Sequence, residues 1–248
     1  MNISHYRLIR IIIKERMMKT LKKLSILMAL LMTVVLVLAA CGPKGGSTTP
    51  TKGEEPQTEA QTEETTTKEA EPIDAGYPAA TLTADTYSNE AINLKMTVPS
   101  DWTLYTEQQL ADNYNGNLTE PGTGDGFYEA YAQMTSGGNN VSIIVQDASG
   151  QRDLIKSMGI KVFTEMASEG IQEALEGAGA TDINYGLIDI DFPLDDFACI
   201  GSTCSLQGIP IVQKQLVFLV GNYLYTITIT AFDEEGANDV LGFFSKIK

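Results

Sequence analysis

Histidine is all but missing from this chain of 248 residues: one imidazole stands at His5 and none follows it. Histidine is the commonest general base near neutral pH, the usual activator of a serine or cysteine nucleophile, and a frequent zinc ligand. From residue 6 onward all three uses are closed. Basic residues are also scarce beyond the first 40 positions. Seven of the 17 lysines and arginines (Arg7, Arg10, Lys14, Arg16, Lys19, Lys22, Lys23) precede Cys41, as does one of the 32 acids, Glu15. The remainder has 10 basic against 31 acidic residues, a net charge of −21 from Cys41 onward. Charge of that sign repels phosphate backbones and anionic membrane surfaces. Nucleic acid is therefore not an expected partner, while cations, basic peptides and neutral glycans stay open. A third shortage is local. Between Gly42 and about Asp74 the chain is dominated by Gly, Ser, Thr, Pro, Gln and Glu, with almost no large apolar residue. Such a composition cannot offset the entropy of ordering and predicts a disordered tether over 41–74. One domain's worth of sequence, 75–248, remains.

Ahead of the tether lies a long apolar run. Lys19, Lys22 and Lys23 make a basic n-region and Leu24 to Leu38 an apolar stretch. Leu38-Ala39-Ala40-Cys41-Gly42 then forms a small-residue site ending in cysteine, the arrangement of a signal peptide over 1–40. An uncleaved membrane anchor is the bland alternative, because the run approaches the length of a short spanning helix. The small pair beside the cysteine favours processing. The site resembles the bacterial lipobox, and the resemblance implies that the Cys41 thiol receives diacylglycerol before cleavage leaves Cys41 as the first residue. The expected address is then the cell membrane, lipid-anchored on its extracytoplasmic face. Met1 to Arg16 exceeds what a signal peptide needs, and Met17-Met18-Lys19 opens a normal n-region, so Met17 or Met18 is the expected start. A tether of about 33 residues would hold the domain on the order of 30 Å from the membrane.

From about Tyr77 aromatic and β-branched residues appear in alternating runs. Ala91 to Val98 sets Ile92, Leu94, Met96 and Val98 against polar neighbours and stops at Pro99, as a half-buried strand should. Phe127 to Met134 and Val141 to Val145 read as two more strands, and Ile183 to Phe192 and Phe197 to Leu206 as a further pair. Asp153 to about Glu176 is helical by pattern, with Ile155, Met158, Val162, Met166, Ile171, Ala174 and Leu175 on one side and Gly177-Ala178-Gly179 ending it. Gly221-Asn222 suits a two-residue primed turn, which pairs Val220 with Tyr223, Phe218 with Tyr225 and Leu216 with Ile227. Both faces of that hairpin are partly apolar, so layers are expected on both sides of the sheet. Glu234 to about Lys246 carries Ala237, Val240, Leu241 and Phe244 at helical spacing and predicts a closing helix.

The order of a strand ending in Val98-Pro99-Ser100-Asp101-Trp102, a hairpin, a long helix, a meander containing Gly221 to Thr228, and a last helix near Phe243-Phe244 resembles the Mog1/PsbP-like fold. The resemblance covers about Tyr87 to Lys248 and implies an α+β architecture, an antiparallel sheet flanked by helices as an α/β/α sandwich, in a family of binding and accessory proteins. It also implies that Phe197 to Leu206 is one strand turning at Gln207-Gly208. Cys199 and Cys204 would then lie on opposite faces, and no disulfide is expected. A tight hairpin at Gly201-Ser202 would instead set the two cysteines face to face.

Candidate chemistry is thin. Asp189, Asp191, Asp195 and Asp196 crowd around Phe192-Pro193, and oxygen-rich clusters of this kind can hold a cation or a basic partner. The plainer reading is a solvated strand end. Asp112 to Asn117 has an EF-hand look, but Tyr114 and Asn117 occupy the positions where an oxygen ligand and glycine are required. Gly122-x-Gly124-x-Gly126 lacks the strand, helix and spacing of a dinucleotide site and reads as a binding or plain surface loop. Trp102 beside Pro99 reads as packing. No catalytic residue, metal site or cofactor is expected. The expected role is a membrane-tethered, non-enzymatic binding or accessory module for a protein or glycan partner. A histidine-free hydrolase using two close, pKa-shifted carboxylates in a cleft is the alternative.

Overall fold

The computed structural model describes residues 77–116, 118–122 and 126–247. The expected signal segment, Cys41 and the 41–74 tether lie outside the described residues. Two antiparallel sheets form the fold. A small one is built from β1 (Thr81–Leu82), β2 (Thr86–Asn89), β3 (Leu94–Thr97) and the last strand, β11 (Phe244–Lys246), in the order β1-β2-β3-β11. The large one has seven strands: β4 (Trp102–Leu104), β5 (Phe127–Met134), β6 (Asn140–Asp147), β7 (Ala180–Ile188), β8 (Ala198–Leu206), β9 (Ile209–Val220) and β10 (Tyr223–Ala231). Its order is β4-β5-β6-β10-β9-β8-β7.

The β9–β10 hairpin has the register its turn dictates: Val220 faces Tyr223, Phe218 faces Tyr225 and Leu216 faces Ile227. Of the two turn residues, Gly221 takes a positive φ of 61°, the first-position requirement of a type II′ turn. Alternation then sorts the side chains. Tyr225, Ile227, Ile229, Leu216, Phe218, Val141, Ile143 and Val145 turn toward the small sheet and join Leu94, Met96 and Tyr87 in the largest core cluster. Trp102 belongs to the same cluster and meets Phe243 edge-on with ring centres 5.0 Å apart, so it packs.

Among the described residues four α-helices complete the layers: α1 (Glu107–Leu110), α2 (Arg152–Met158), α3 (Ile160–Gly177) and α4 (Glu234–Leu241). The first continues into a π-helical turn, Ala111–Asn115. Helices therefore lie on both faces of the large sheet, with α4 packed beside the small sheet and α3 on the opposite face across β7, β8 and β9.

Three sequence expectations are corrected. The single helix expected from Asp153 is two, because Gly159 adopts φ 82° and ψ 148°, outside any helix. The break resets the helical phase, so Ile160, Phe163, Ala167, Ile171 and Leu175 are buried while Val162 is exposed. The closing helix stops at Leu241, and Phe244 pairs with Met96 as a strand that supplies β3 with its second neighbour. The strand expected from Ala91 begins only at Leu94, since a 3-10 turn, Glu90–Ile92, precedes it and Asn93 is left-handed at φ 52°.

Cys199 and Cys204 sit on one uninterrupted strand, β8, both as free thiols. Cys199 enters the core under the small sheet and Cys204 the one under α3, on opposite faces. Burial pushes the Cys199 thiol up to about 12 against weaker opposing help from Lys214, and burial raises Cys204 as well. Thiolate is the reactive form, so neither cysteine should be alkylated in the native chain and both should be once it is unfolded. Mass spectrometry after iodoacetamide with and without denaturant checks this. Intact mass without reductant should match the reduced mass, with no loss of two protons.

Candidate functional site

Simple alternation along Phe127-Tyr128-Glu129-Ala130-Tyr131 would put Glu129 on the face of Tyr131. The strand does otherwise. Tyr128 pairs with Ile144 and Ala130 with Ile143, so Glu129 is the extra residue of a β-bulge. The bulge leaves Tyr128 and Tyr131 together on one face, in a cluster with Leu110 and Ile144, while Ala130 and Ala132 enter the core under the small sheet. Bulges of this kind re-aim side chains and gather at sheet rims.

Glu129 is only 5% exposed, and its carboxylate is surrounded by donors from the segment preceding β3. Tyr77 donates its hydroxyl to Oε1, Tyr87 donates its own to Oε2 at 2.6 Å, and Asn89 Nδ2 donates to Oε1 at 3.0 Å. Asn89 Nδ2 also donates to the Pro78 carbonyl at 2.9 Å. Burial raises the Glu129 pKa, and the hydrogen bonds from Tyr77, Tyr87, Asn89 and the Ala80 backbone offset part of that rise. The carboxylate therefore fastens residues 77–89 to the large sheet.

Among the described residues β5 has no outer strand beyond the bulge, because β4 pairs only with Ala132, Gln133 and Met134. One side chain fills the vacancy. Asn115, at the end of the π turn, accepts from Tyr128 N at 2.8 Å and donates to the Tyr128 carbonyl at 2.9 Å, as an adjacent strand would. The stretch that superficially suggested an EF-hand is thus an edge cap. Between this cap and residues 77–82 opens a cavity of about 300 Å³, lined by Tyr77, Leu82, Glu107, Leu110, Asn115, Thr119, Tyr128 and Glu129 among others. Tyr114 stacks on Tyr128 at 4.4 Å beside it, and Tyr105 and Tyr131 complete a tyrosine cluster.

Burial raises the hydroxyl pKa of Tyr128, Tyr131 and Tyr225, and for Tyr77 and Tyr87 the Glu129 charge adds to burial. A raised phenol means the native state holds protons that the unfolded chain releases near pH 10, so stability is full below that value and falls as pH climbs past it. Tyrosinate absorbance and far-ultraviolet circular dichroism should change together in alkaline titration. Ionisation of these tyrosines with the fold intact would contradict their burial.

The structure does not gather the four aspartates. All are exposed; Asp189 pairs with Lys161 of α3 at 3.1 Å and Asp195 with Lys246 of β11 at 3.0 Å. Those lysines belong to elements packed on opposite faces of the large sheet, so the cluster is divided. Exposed pairs of this kind contribute roughly 0–1 kcal/mol. Among the described residues no group of three or more His, Cys, Asp or Glu could hold a metal ion. Gly122 and Gly126 flank a loop whose Gly124 lies outside the described residues. A second concavity, about 320 Å³, lies where Gly186 faces Gly201 across β7 and β8. Lys214 on its lining is buried, and its ammonium donates to Glu234 and, at 2.8 Å, to Asn238, so it is satisfied within the fold. Sequence reasoning missed Glu129, Tyr77, Tyr87, Asn89 and Asn115.

No protein-family model matches the chain, and no curated protein matches it. Several solved structures are similar. The solution structure of cyanobacterial PsbP (CyanoP) from Synechocystis sp. has 11% identity over 72% of this chain and 98% of its own, with a TM-score of 0.38. A crystal structure from Bacteroides thetaiotaomicron has 15% identity over 67% of this chain and 50% of its own, at 0.32. LpqN of Mycobacterium tuberculosis, described as involved in cell envelope biogenesis, has 12% identity over 62% of this chain and 83% of its own, at 0.31. Likeness at this level says nothing about ligand or partner. The described chain is a mixed α+β protein with antiparallel sheets and few helices, and one of its similar structures is a PsbP.

Proposed function

We propose that the chain is a lipoprotein held through Cys41 on the extracytoplasmic face of the cell membrane, acting as a non-enzymatic binding or accessory module for a protein or glycan partner. The observation that carries the binding role is the tyrosine-bordered cavity at the β5 bulge, walled by Glu107, Leu110, Asn115, Leu118 and Thr119 over a firmly fastened floor. Loop-built concavities on a rigid sheet are where partners are usually met. Both oxygens of Glu129 already accept hydrogen bonds from side chains of the fold, which suits positioning better than proton transfer. The lipobox-like site at Leu38 to Gly42 supports the address.

Two measurements test this. Mass spectrometry of the membrane fraction should find Cys41 as a lipid-modified first residue; an unmodified peptide spanning Ala40 and Cys41 would overturn the anchor. A photo-crosslinking residue at Leu118, on the cavity lining, should capture a partner that the same probe at exposed Lys156 does not. With a net charge of −16 on residues 75–248, a basic partner should associate faster at low salt. Neutralising Asp189, Asp191, Asp195 and Asp196 together should reduce that dependence if they face the partner. Hydrolysis of a glycan or peptide abolished by Glu129→Gln would favour the carboxylate hydrolase instead.

A further inference from the structure

No lysine or arginine lines the cavity at the β5 bulge, whereas two carboxylates do, Glu107 and Glu129. They stand at different depths. Glu107, the first residue of α1, is exposed, and Glu129 is 5% exposed. Neither belongs to the ion pairs formed among the described residues, which join Lys161 to Asp189, Lys214 to Glu234 and Lys246 to Asp195. A carboxylate taken out of water is ordinarily paired with a cation, because a bare charge in a low-dielectric interior is costly. Around Glu129 the fold supplies uncharged donors only: Tyr77, Tyr87, Asn89 and the Ala80 backbone. The charge in this wall is held by hydrogen bonds but not neutralised.

Much of the remaining lining is apolar. Leu82, Leu110 and Leu118 flank the space, and Leu118 is 39% exposed. Apolar walls beside uncompensated carboxylates match the two parts of a long basic side chain, whose methylene stem takes cover while its head needs a counter-ion. At about 300 Å³ the cavity is at the small end of ligand sites, room for one such side chain. The acceptors left for the head are dispersed. Oε1 of Glu129 already accepts from Tyr77 and Asn89, while Oε2 accepts from Tyr87, which leaves Oε2 room for another donor. Tyr128, on the same lining, is 7% exposed and its hydroxyl has no hydrogen-bond partner among the described residues. Glu107 adds its carboxylate. Separate acceptors on three residues suit an ammonium, which donates in three directions, better than the planar fork of a guanidinium.

We propose that this cavity seats a lysine side chain of a protein partner, with its stem along Leu82, Leu110 and Leu118 and its ammonium between Glu107 and the Glu129 wall. The inference rests on the reading of the chain as a binding module that meets its partner at this cavity, and it selects a protein over a glycan. It also gives the net charge of −16 on residues 75–248 a local focus. The field of the whole domain draws a basic partner in, and the uncompensated carboxylates decide where it docks.

The test uses the full chain in detergent, followed by NMR, with end-blocked tripeptides that carry lysine, acetyl-lysine, norleucine or arginine between two alanines. The lysine peptide should shift the backbone amides of Glu107, Leu118 and Glu129 and bind at least fivefold more tightly than each of the others. Glu107→Gln should weaken that binding threefold or more, whereas Glu173→Gln, which removes the same charge from an exposed site on α3, should leave it alone. Glu129→Gln should weaken it further; because that change also touches the fold, the exposed Glu107 carries the decision. Equal binding of the norleucine or acetyl-lysine peptide would make the cavity merely apolar and overturn the proposal. Arginine bound as tightly as lysine would overturn it too, as would equal effects of Glu107→Gln and Glu173→Gln, shifts confined to residues outside the cavity, or no binding of the lysine peptide. Any of these beside capture at Leu118 would leave the cavity a docking site of another chemistry. Lysine-selective binding with no capture at Leu118 would uphold the chemistry of the pocket and remove the partner reading instead.

Discussion

Phe163→Ala is expected to lower the unfolding free energy by about 3–5 kcal/mol, while Val162→Ala, one position away, changes it by no more than about 0.5 kcal/mol. Phe163 is 1% exposed and packs with Ile155, Ile160, Ala167, Ala198, Val217 and Leu224 where α2 and α3 meet the sheet. Deleting its ring leaves a cavity between helix and sheet that neither can close without moving the other. Val162 is 47% exposed and gives up little when trimmed. Urea unfolding of both variants decides the matter. A Val162→Ala loss as large as that of Phe163→Ala would restore the unbroken helix that the sequence pattern suggests.

Glu129→Ala is expected to cost about 3 kcal/mol at neutral pH. It strands the buried Tyr87 hydroxyl, the half-buried Tyr77 hydroxyl and an asparagine amide hydrogen, each at up to about 1–3 kcal/mol, while the penalty of burying the carboxylate disappears with it. Glu129→Gln keeps an acceptor oxygen and should be milder, and its larger effect is on pH dependence. Burial holds the Glu129 pKa above its ordinary 4.5, so the native state binds this proton more tightly than the unfolded chain does. Its contribution is fully present below the ordinary carboxylate value, is lost as pH rises toward the raised one, and is flat beyond. Urea midpoints followed from the acid side of the carboxylate range to neutrality should show that decline in the parent chain and not in Glu129→Gln. Parallel profiles in the two chains would mean that another group titrates.

What the sequence reveals and what it hides divide along physical lines. The β9–β10 register was legible because Gly221-Asn222 fixes it locally and both flanking strands alternate. The free cysteines were legible only through the family resemblance, which implies one strand through Gly201-Ser202, since the residues alone also allow a tight hairpin there. The bulge at Glu129 was not legible, since Phe127 to Met134 reads as plain alternation and a bulge leaves no compositional mark. Its donors Tyr77 and Tyr87 lie 52 and 42 positions away, so only tertiary structure joins them. The one signal on offer was a carboxylate inside an aromatic strand. The break at Gly159 was hidden because a helix tolerates a single interior glycine and the residues after it still show helical spacing in either phase. Phe243-Phe244 fits a helix face as well as a strand, and the choice belongs to β3, whose second edge needs a partner. The aspartates were visible as a cluster, but Lys161 and Lys246, which divide it, are 28 and 51 positions from their partners.

Asn115 bears on how these molecules coexist. A sheet edge with free N–H and C=O groups is a template on which a second molecule can add a strand, and repeated addition is how fibrils begin. On β5 the outward-facing backbone pair at Tyr128 is consumed by one amide side chain. Unlike a strand, that amide presents no further ladder behind it, so the pattern ends there instead of being passed outward. The opposite edge, β7, is protected differently: its register slips between Thr181 and Asn184, where Asp182 is left-handed at φ 54°, and the kink spoils the straight run another strand would need. Strand addition is thus discouraged along the stretch of β5 that β4 leaves uncovered and at β7 by unrelated means, a side chain that imitates backbone and a backbone that refuses to run straight.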